Sequence, residues 1–334
     1  MSGDSNRPFE PRLERLGYSN RGERALLAIV GPTATGKTAL AVRLAERLGG
    51  EVVNADSRQV YRGMDTGTAK PSAGDRATVR HHLFDIVAPD EPFSLGRYLD
   101  LAHEAVDDCW SRGALPIVAG GTGQYVWALL EGWQVPRVAP DPALRAELEA
   151  RAERAGAAAL LEELERVDPA YAARVDRSNV RRIVRALEVY RRTGRPLSAC
   201  QTRDTPDWDA LIVGLACPRE ELYRRIDARV DAMLAAGLVE EVRGLIERGY
   251  GCALPAMSGI GYRQVCQHLA GELSLEEAAA RIKTETHRLA RMQHAWFRAG
   301  DPRIRWVDVS AGDPFVEALR VVESKLMEDR SERR

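Results

Sequence analysis

The chain has 334 residues, 45% hydrophobic and 29% charged, with 48 Lys+Arg against 49 Asp+Glu. Such a balance predicts a soluble protein of about two domains, and a net charge of −1 excludes uniform electrostatic capture of nucleic acid, so any RNA contact needs local patches. No apolar run approaches membrane-spanning length, and the five cysteines (Cys109, Cys200, Cys217, Cys252, Cys266) hold no C-x-x-C pair, which predicts a cytoplasmic protein with neither a zinc site nor a disulfide framework.

Residues 1–24 are polar, carry Pro8, Pro11, Gly17 and Gly22, and read as a loose extension. An apolar run, Leu26 to Val30, then leads into Gly31-Pro32-Thr33-Ala34-Thr35-Gly36-Lys37-Thr38, which matches the P-loop pattern G-x-x-x-x-G-K-[ST]. Helical spacing from Lys37 to Leu48, closed by Gly49 and Gly50, supplies the strand–turn–helix context the pattern needs. A glycine turn opening a helix aims backbone N–H groups and the positive helix end at one point, which suits a diphosphate. Lys37 adds an ammonium, and the Thr38 hydroxyl is placed to reach Mg²⁺. Only four of the 48 basic residues are lysines, so a lysine here points to a need for a compact cation.

Glu51 to Ala55 reads as a second strand that delivers Asp56 to the same sheet edge, where Asp56 is either a turn cap or a functional acid. The following loop, VYRGMDTGTAKP, has no periodicity. Leu83 to Val87 reads as a third strand. His81 and His82 precede it and, being adjacent, would face opposite ways, which argues against a shared metal. A helix over Phe93 to Trp110 and a strand over Leu115 to Ala119 follow. That strand runs into Gly120-Gly121-Thr122-Gly123 and a helix through Glu131, a second strand–turn–helix unit that tight packing alone could also explain.

From Trp133 the composition turns Ala-, Glu- and Arg-rich, and strand character returns only at Leu211 to Ala216, followed by Arg219. The expected fold is therefore α/β, a P-loop NTPase-like parallel sheet flanked by helices with an inserted helical domain. The core spans 25–132 and 204–325, and the insertion 133–203. Inside the insertion, Val180, Ile183, Val184 and Leu187 form an apolar stripe with Arg181, Arg182, Arg185 and Arg192 off it. Eight arginines against Asp176 and Glu188 between Arg174 and Arg195 favour an anionic partner over a solvated face, which would mix signs. Ser274 to Glu277 forms a capping box for a long helix carrying His287, Arg291, His294 and Arg298 on one side, with Leu289, Met292 and Trp296 expected in the core.

These motifs in this order, GPTATGKT, DSRQVYRGMDTGTAKP, HHLFD, GGTGQY, RRIVRALEVYRRTGRPLS and GYRQ, resemble those of the tRNA dimethylallyltransferases (tRNA isopentenyltransferases) from about Ala25 to about Arg298. The resemblance implies transfer of a dimethylallyl group from its diphosphate to N6 of adenine 37 beside the tRNA anticodon, with Mg²⁺ as cofactor and no membrane partner. A monomer is expected. It implies Asp56 as general base, the residues from Gly31 to Thr38 with Arg219 on the diphosphate, and Thr38 at the metal. It implies tRNA contacts from Asp56, Ser57, Arg58, Gln59, Thr122, Arg145, Arg181, Arg182, Ile183, Val184, Arg185, Arg291, Gln293 and Arg298, with the adenine flipped from its stack. Thr66, Ser258 and His287 depart from the family pattern, and Ser258 removes an expected phosphate contact. A small-molecule kinase is the main rival, and it leaves the GGTGQY turn and the basic C-terminal helix without a role. Transfer to a free adenine nucleotide would not need so large an insertion, and a non-enzymatic RNA binder would not explain Asp56.

Overall fold

The computed structural model describes residues 24–332, so the N-terminal extension expected over 1–24 lies almost wholly outside the described residues. Residues up to Trp127 and from Asp207 onward form one compact unit, and Ala128–Pro206 form another.

The larger unit is built on a six-stranded, all-parallel sheet of order β3-β2-β4-β1-β5-β6. Its strands are β1 (Ala25–Val30), β2 (Gly50–Asn54), β3 (His81–His82), β4 (Leu115–Ala119), β5 (Asp209–Ala216) and β6 (Ile304–Asp308). Five of the six residues of β1 and all of β4 are buried, as continuous apolar strands covered on both faces must be. Helices α1 (Lys37–Leu48), α2 (Ala73–Thr78), α3 (Leu95–Ser111) and α4 (Gly123–Leu130) connect the first strands. Because every strand is parallel, the turns after β1, β2 and β4 all emerge at one edge, where open α/β sheets bind ligands. Gly31 is obligatory at that edge: its φ is 132°, and a Cβ there would lie 2.5 Å from the Leu215 carbonyl oxygen of β5.

The third strand is shorter than the apolar run 83–87 suggests. Leu83 and Asp85 take φ of 65° and 57°, left-handed values that break pairing after His82. The bent segment is held from its side: Asn54 Nδ2 donates to the Leu83 carbonyl at 3.0 Å, and Lys70 and Arg76 both bind the Asp85 carboxylate. The single pair Cys252–Cys266 is disulfide-bonded, contrary to the expectation from spacing; the helix carrying Cys266 folds back over the preceding loop, which a count of intervening residues does not show. No helix among the described residues is long and apolar enough to cross a membrane.

The smaller unit carries α5 (Pro142–Ala155), α6 (Ala157–Val167), α7 (Pro169–Ala172), α8 (Val180–Thr193) and α9 (Leu197–Cys200). Its core gathers Leu148, Leu160, Leu164, Ile183, Val184 and Leu187. Ile183 and Val184, expected at tRNA, are 0% and 2% exposed and serve this core instead. Arg145 and Arg185 are likewise committed inward: both hydrogen-bond the fully buried Glu188 carboxylate, at 2.8–2.9 Å and 2.5 Å, and Glu188 also accepts the Asp141 backbone N–H at 2.8 Å. Arg181 and Arg182, in the turn of α8 before Arg185, are exposed.

Burial alone would raise the Glu188 pKa, but Arg145, the Asp141 N–H and Arg185 override it and bring it down to about 2 from 4.5. A depressed carboxylate contributes stability that is complete above the unfolded value and is lost as pH falls through about 2. Glu188→Gln leaves two half-buried guanidinium groups without their anion, and the expected cost at pH 7 is roughly 3 kcal/mol. Thermal unfolding of the two proteins should show the gap at pH 7 and its narrowing as pH falls from 4.5 toward 2.

Candidate active site

The turns at the carboxyl edge of the sheet surround a cavity of about 670 Å³ lined wholly by residues of the larger unit. One wall is the P-loop (Thr33, Ala34, Gly36, Lys37, Thr38); a second is Asp56 to Gln59 after β2; a third is Gly120 to Gln124 after β4. The remaining walls come from α10 (Arg219–Ala235), the turn 258–262 and α13 (Leu275–Trp296). Between α10 and α13 in the chain lie α11 (Leu238–Glu247) and α12 (Tyr262–Leu269), and α14 (Pro314–Glu332) follows β6.

The P-loop holds its shape through its own backbone. Thr35 Oγ1 and Lys37 Nζ both donate to the Pro32 carbonyl, at 2.9 and 2.7 Å. Gly36 at φ 88° turns the chain into α1 with Lys37 as its first residue, and Ala34 takes φ 63° without being glycine. Burial, with the positive charge of Arg229 second, lowers the Lys37 pKa to about 7, while Asp56 opposes the shift. A negative charge placed beside Lys37 would oppose that shift and favour its protonated form.

Asp56 takes the turn-capping role, with its carboxylate on the cavity wall. Asn54 Oδ1 accepts the Asp56 N–H at 2.9 Å, and Asp56 Oδ1 accepts the Arg58 N–H at 2.8 Å, an Asx-type turn that fixes the carboxylate on the cavity wall. Thr122 Oγ1 accepts the Ser57 N–H at 3.0 Å, tying the second and third walls together. The GGTG turn is packing and site at once: a Cβ on Gly120 would lie 2.1 Å from the Ala55 carbonyl oxygen, and the same approach sets Thr122 beside Ser57.

Several expected tRNA contacts have other partners. Gln293 is buried; its Oε1 accepts the Thr33 N–H at 2.8 Å and its Nε2 donates to the Gly121 carbonyl at 2.9 Å, so it clamps the P-loop to the GGTG turn. Gln59 Nε2 donates to the carbonyls of Thr68 and Ala69. Arg58 reaches the carbonyls of Pro255 and Ala256 and the Ser258 hydroxyl. Arg219 lies over the Tyr223 ring at 5.2 Å and does not line the cavity, and Arg291 donates to the Tyr223 hydroxyl at 2.8 Å. His287 also stacks on Tyr223, 4.0 Å between centroids, beside Asp227. Arg298 falls past the end of α13 and is exposed.

Three features were missed or misread. Arg229 on α10 lines the cavity opposite Asp56, and burial lowers its pKa while Asp56 raises it. Its signal was available: Ile226, Val230 and Met233 share its helix face, an apolar face with no acid one turn away, where an arginine has no structural reason to sit. Met292 and Trp296, expected in the core, are 50% and 38% exposed and form an apolar part of the cavity wall. Glu241 of α11 was also not singled out. Its carboxylate accepts the N–H groups of Asp65, Thr66 and Gly67 and the Tyr262 hydroxyl, joining the loop 65–69 to the turn 258–262 across two cavity walls.

The sequence profile of the IPP transferase family matches residues 59–300. The chain belongs to that family. It is 54% identical over 297 residues to the tRNA dimethylallyltransferase of Roseiflexus sp. (strain RS-1), covering 89% of this chain and 97% of that protein. It is 50% identical over 309 residues to the tRNA dimethylallyltransferase of Thermomicrobium roseum, covering 92% and 94%. Among solved structures, the full-length tRNA isopentenylpyrophosphate transferase of Bacillus halodurans superimposes with a TM-score of 0.69 at 38% identity, over 93% of this chain and all of that one. A eukaryotic dimethylallyltransferase acting on tRNA superimposes with a TM-score of 0.71 at 28% identity, over 85% and 74%.

Two outcomes follow from the site's geometry. Gln293→Leu removes both clamp hydrogen bonds while keeping the volume, and is expected to weaken inorganic pyrophosphate binding about tenfold by calorimetry; unchanged affinity would mean the P-loop is held without it. Lys37 loses its proton as pH rises through about 7 in the free protein, so pyrophosphate affinity should fall from pH 7 to 9 relative to a Lys37→Arg protein, whose guanidinium keeps its charge.

Proposed function

We propose that the protein transfers the dimethylallyl group of dimethylallyl diphosphate to N6 of adenine 37, next to the anticodon of tRNA, releasing diphosphate. The observation that carries the reading is that one cavity presents a phosphate cradle, a carboxylate and apolar walls together, in a chain of the IPP transferase family. The P-loop N–H groups, Lys37 and Arg229 bind the diphosphate, and Ile226, Val230 and Leu289 suit its hydrocarbon tail.

In the reaction the bond between the allylic carbon and the diphosphate oxygen breaks as N6 bonds that carbon, and an N6 proton passes to Asp56. The adenine amino group is a poor nucleophile because its lone pair is delocalised into the ring, so removing that proton as the bond forms raises the rate. Negative charge grows on the departing oxygens, where Lys37 and Arg229 stand preorganised. The donor set also fits Mg²⁺: Thr38 presents a hydroxyl oxygen at the cavity wall beside Lys37, and a diphosphate and water supply the other hard oxygens the ion requires. When bound, the ion would neutralise part of the leaving group's charge.

An adenine inside an anticodon loop must leave its stack to reach Asp56, and Thr122 and the exposed Met292 and Trp296 border the way in. In the smaller unit, exposed Arg181 and Arg182 supply phosphate contacts, while Arg145 and Arg185 hold α8 in place through Glu188.

Purified protein with Mg²⁺, dimethylallyl diphosphate and unmodified tRNA should yield N6-dimethylallyladenosine by mass spectrometry, and AMP in place of tRNA should yield none. Phosphate transfer from ATP to AMP without prenyl product would make the protein a kinase. Asp56→Ala is expected to lose at least about 10²-fold in turnover while keeping diphosphate affinity; near-normal turnover would remove Asp56 as the base. Replacing Arg181 and Arg182 by Gln should raise the tRNA KM and lower the salt slope by about 1 to 2, with diphosphate affinity intact. A tRNA KM and salt slope equal to wild type would return both arginines to an ordinary solvated surface.

A further inference from the structure

Away from the cavity, at the amino end of β2, three side chains of different chemistry converge: Glu51 on β2, His82 at the end of β3, and Cys109 in the last turn of α3. Cys109 Sγ lies 3.6 Å from Glu51 Oε2 and 3.7 Å from His82 Nε2, and His82 Nε2 lies 2.6 Å from Glu51 Oε2. The Cys109 side chain is fully buried, and those of His82 and Glu51 are 11% and 13% exposed. None of the three touches the proposed reaction, which sits at the carboxyl ends of the strands.

We propose that this cluster is a structural zinc site with Cys109, His82 and Glu51 as protein ligands and a solvent molecule as the fourth. A tetrahedral ion with Zn–S of about 2.3 Å and Zn–N or Zn–O of about 2.0–2.2 Å sets sulfur-to-nitrogen and sulfur-to-oxygen separations of about 3.6 Å. The two sulfur edges of the triangle already have that length. The third edge is a hydrogen bond, and it opens by about 0.8 Å when the ion takes the place of the shared proton.

Charge and access agree with the assignment. Zinc entry releases the Cys109 thiol proton and the proton between His82 and Glu51, so thiolate and carboxylate balance the dication. Arg112 Nε donates to Glu51 Oε1 at 3.2 Å, which orients the carboxylate from outside and leaves Oε2 turned to the ion. Arg112 Nη2, now 2.7 Å from Oε2, must turn aside, and Asp108 already holds the same guanidinium. Adjacent strand residues face opposite ways, so His81 takes no part; its Nδ1 is 2.9 Å from the Val79 carbonyl instead. The same trio could be read as a cysteine nucleophile with its base and orienting acid, but a sulfur with no exposed surface leaves a substrate no approach. A bound ion would pin the two-residue edge strand β3 and the end of α3 to β2, the edge of the sheet with the fewest ladder bonds.

The test uses the full chain with any affinity tag removed. Cobalt(II), titrated as a spectroscopic stand-in for zinc, should bind with a thiolate-to-metal charge-transfer absorption that saturates at a single equivalent and is bleached by added zinc. The band should vanish in Cys109→Ser and persist in a Cys200→Ser, Cys217→Ser double variant. Zinc should also raise the thermal midpoint of wild type by several degrees, corresponding to stabilisation by mass action, and leave that of His82→Gln unmoved. No charge-transfer band in wild type at about tenfold cobalt excess, or a band of full intensity in Cys109→Ser, would overturn the site. Because wild type alone gives the first reading, a variant that misfolds does not protect the proposal.

Discussion

The cavity at the carboxyl edge of the sheet depends on one buried amide. Gln293 accepts from the P-loop at Thr33 and donates to the GGTG turn at Gly121, so a residue late in the chain fixes two turns that the sheet only brings near each other. Backbone groups at such turns have no partners within regular secondary structure, and away from water each unpaired one costs free energy comparable to a lost hydrogen bond. A single side chain with one donor face and one acceptor face satisfies both. It also explains why Gly121 has no side chain: a Cβ there would sit 2.3 Å from Gln293 Nε2.

A similar logic recurs on the facing wall. Three successive N–H groups, from Asp65 to Gly67, make a concavity of the kind that binds anions, and the chain fills it with its own carboxylate, Glu241. Tyr262 donates to the same carboxylate, and its ring packs against Gly67, where a Cβ would lie 2.5 Å from it. The P-loop and the loop 65–69 are thus two turns on one cavity that present backbone N–H groups. The first is open to a ligand, and the second is closed by Glu241 so that it can act as a rigid wall.

What the sequence made legible was local and what it hid was long-range. The P-loop is a contiguous pattern whose strand and helix context can be read from hydrophobic spacing, and Asp56 follows a strand directly. The capping box at Ser274 is likewise complete within four residues and is present as expected. Gln293 and Glu241 act on residues many positions away, so nothing adjacent to them marks their partners. The arginine-rich run shows the same limit from the other side. Composition counted Arg185 as an outward cation, but Glu188, which lies three residues on in the same helix, turns it inward together with Arg145. Strand β6 went unread because Arg305, Trp306 and Asp308 interrupt its apolar alternation on an edge where only part of the strand is buried.

The scarcity of lysine acquires a physical meaning at two of its four positions. Lys37 and Lys70 are both enclosed, with the Lys70 side chain 2% exposed, whereas Lys283 and Lys325 make ordinary surface ion pairs. Lys70 Nζ donates to the Tyr61 carbonyl at 2.6 Å, to Asp65 at 2.6 Å and to Asp85. Three acceptors arranged around one nitrogen match the three hydrogens of an ammonium, and a planar guanidinium could not serve them from the same volume. At Lys37 the requirement differs. There the amine is buried without a carboxylate hydrogen-bonded to it, and burial, followed by the charge of Arg229, lowers its pKa. An arginine would keep its charge at every pH, but its larger fork would occupy part of the cradle that the anion needs. In a chain that otherwise chooses arginine almost without exception, these two lysines stand where a small cation is geometrically required.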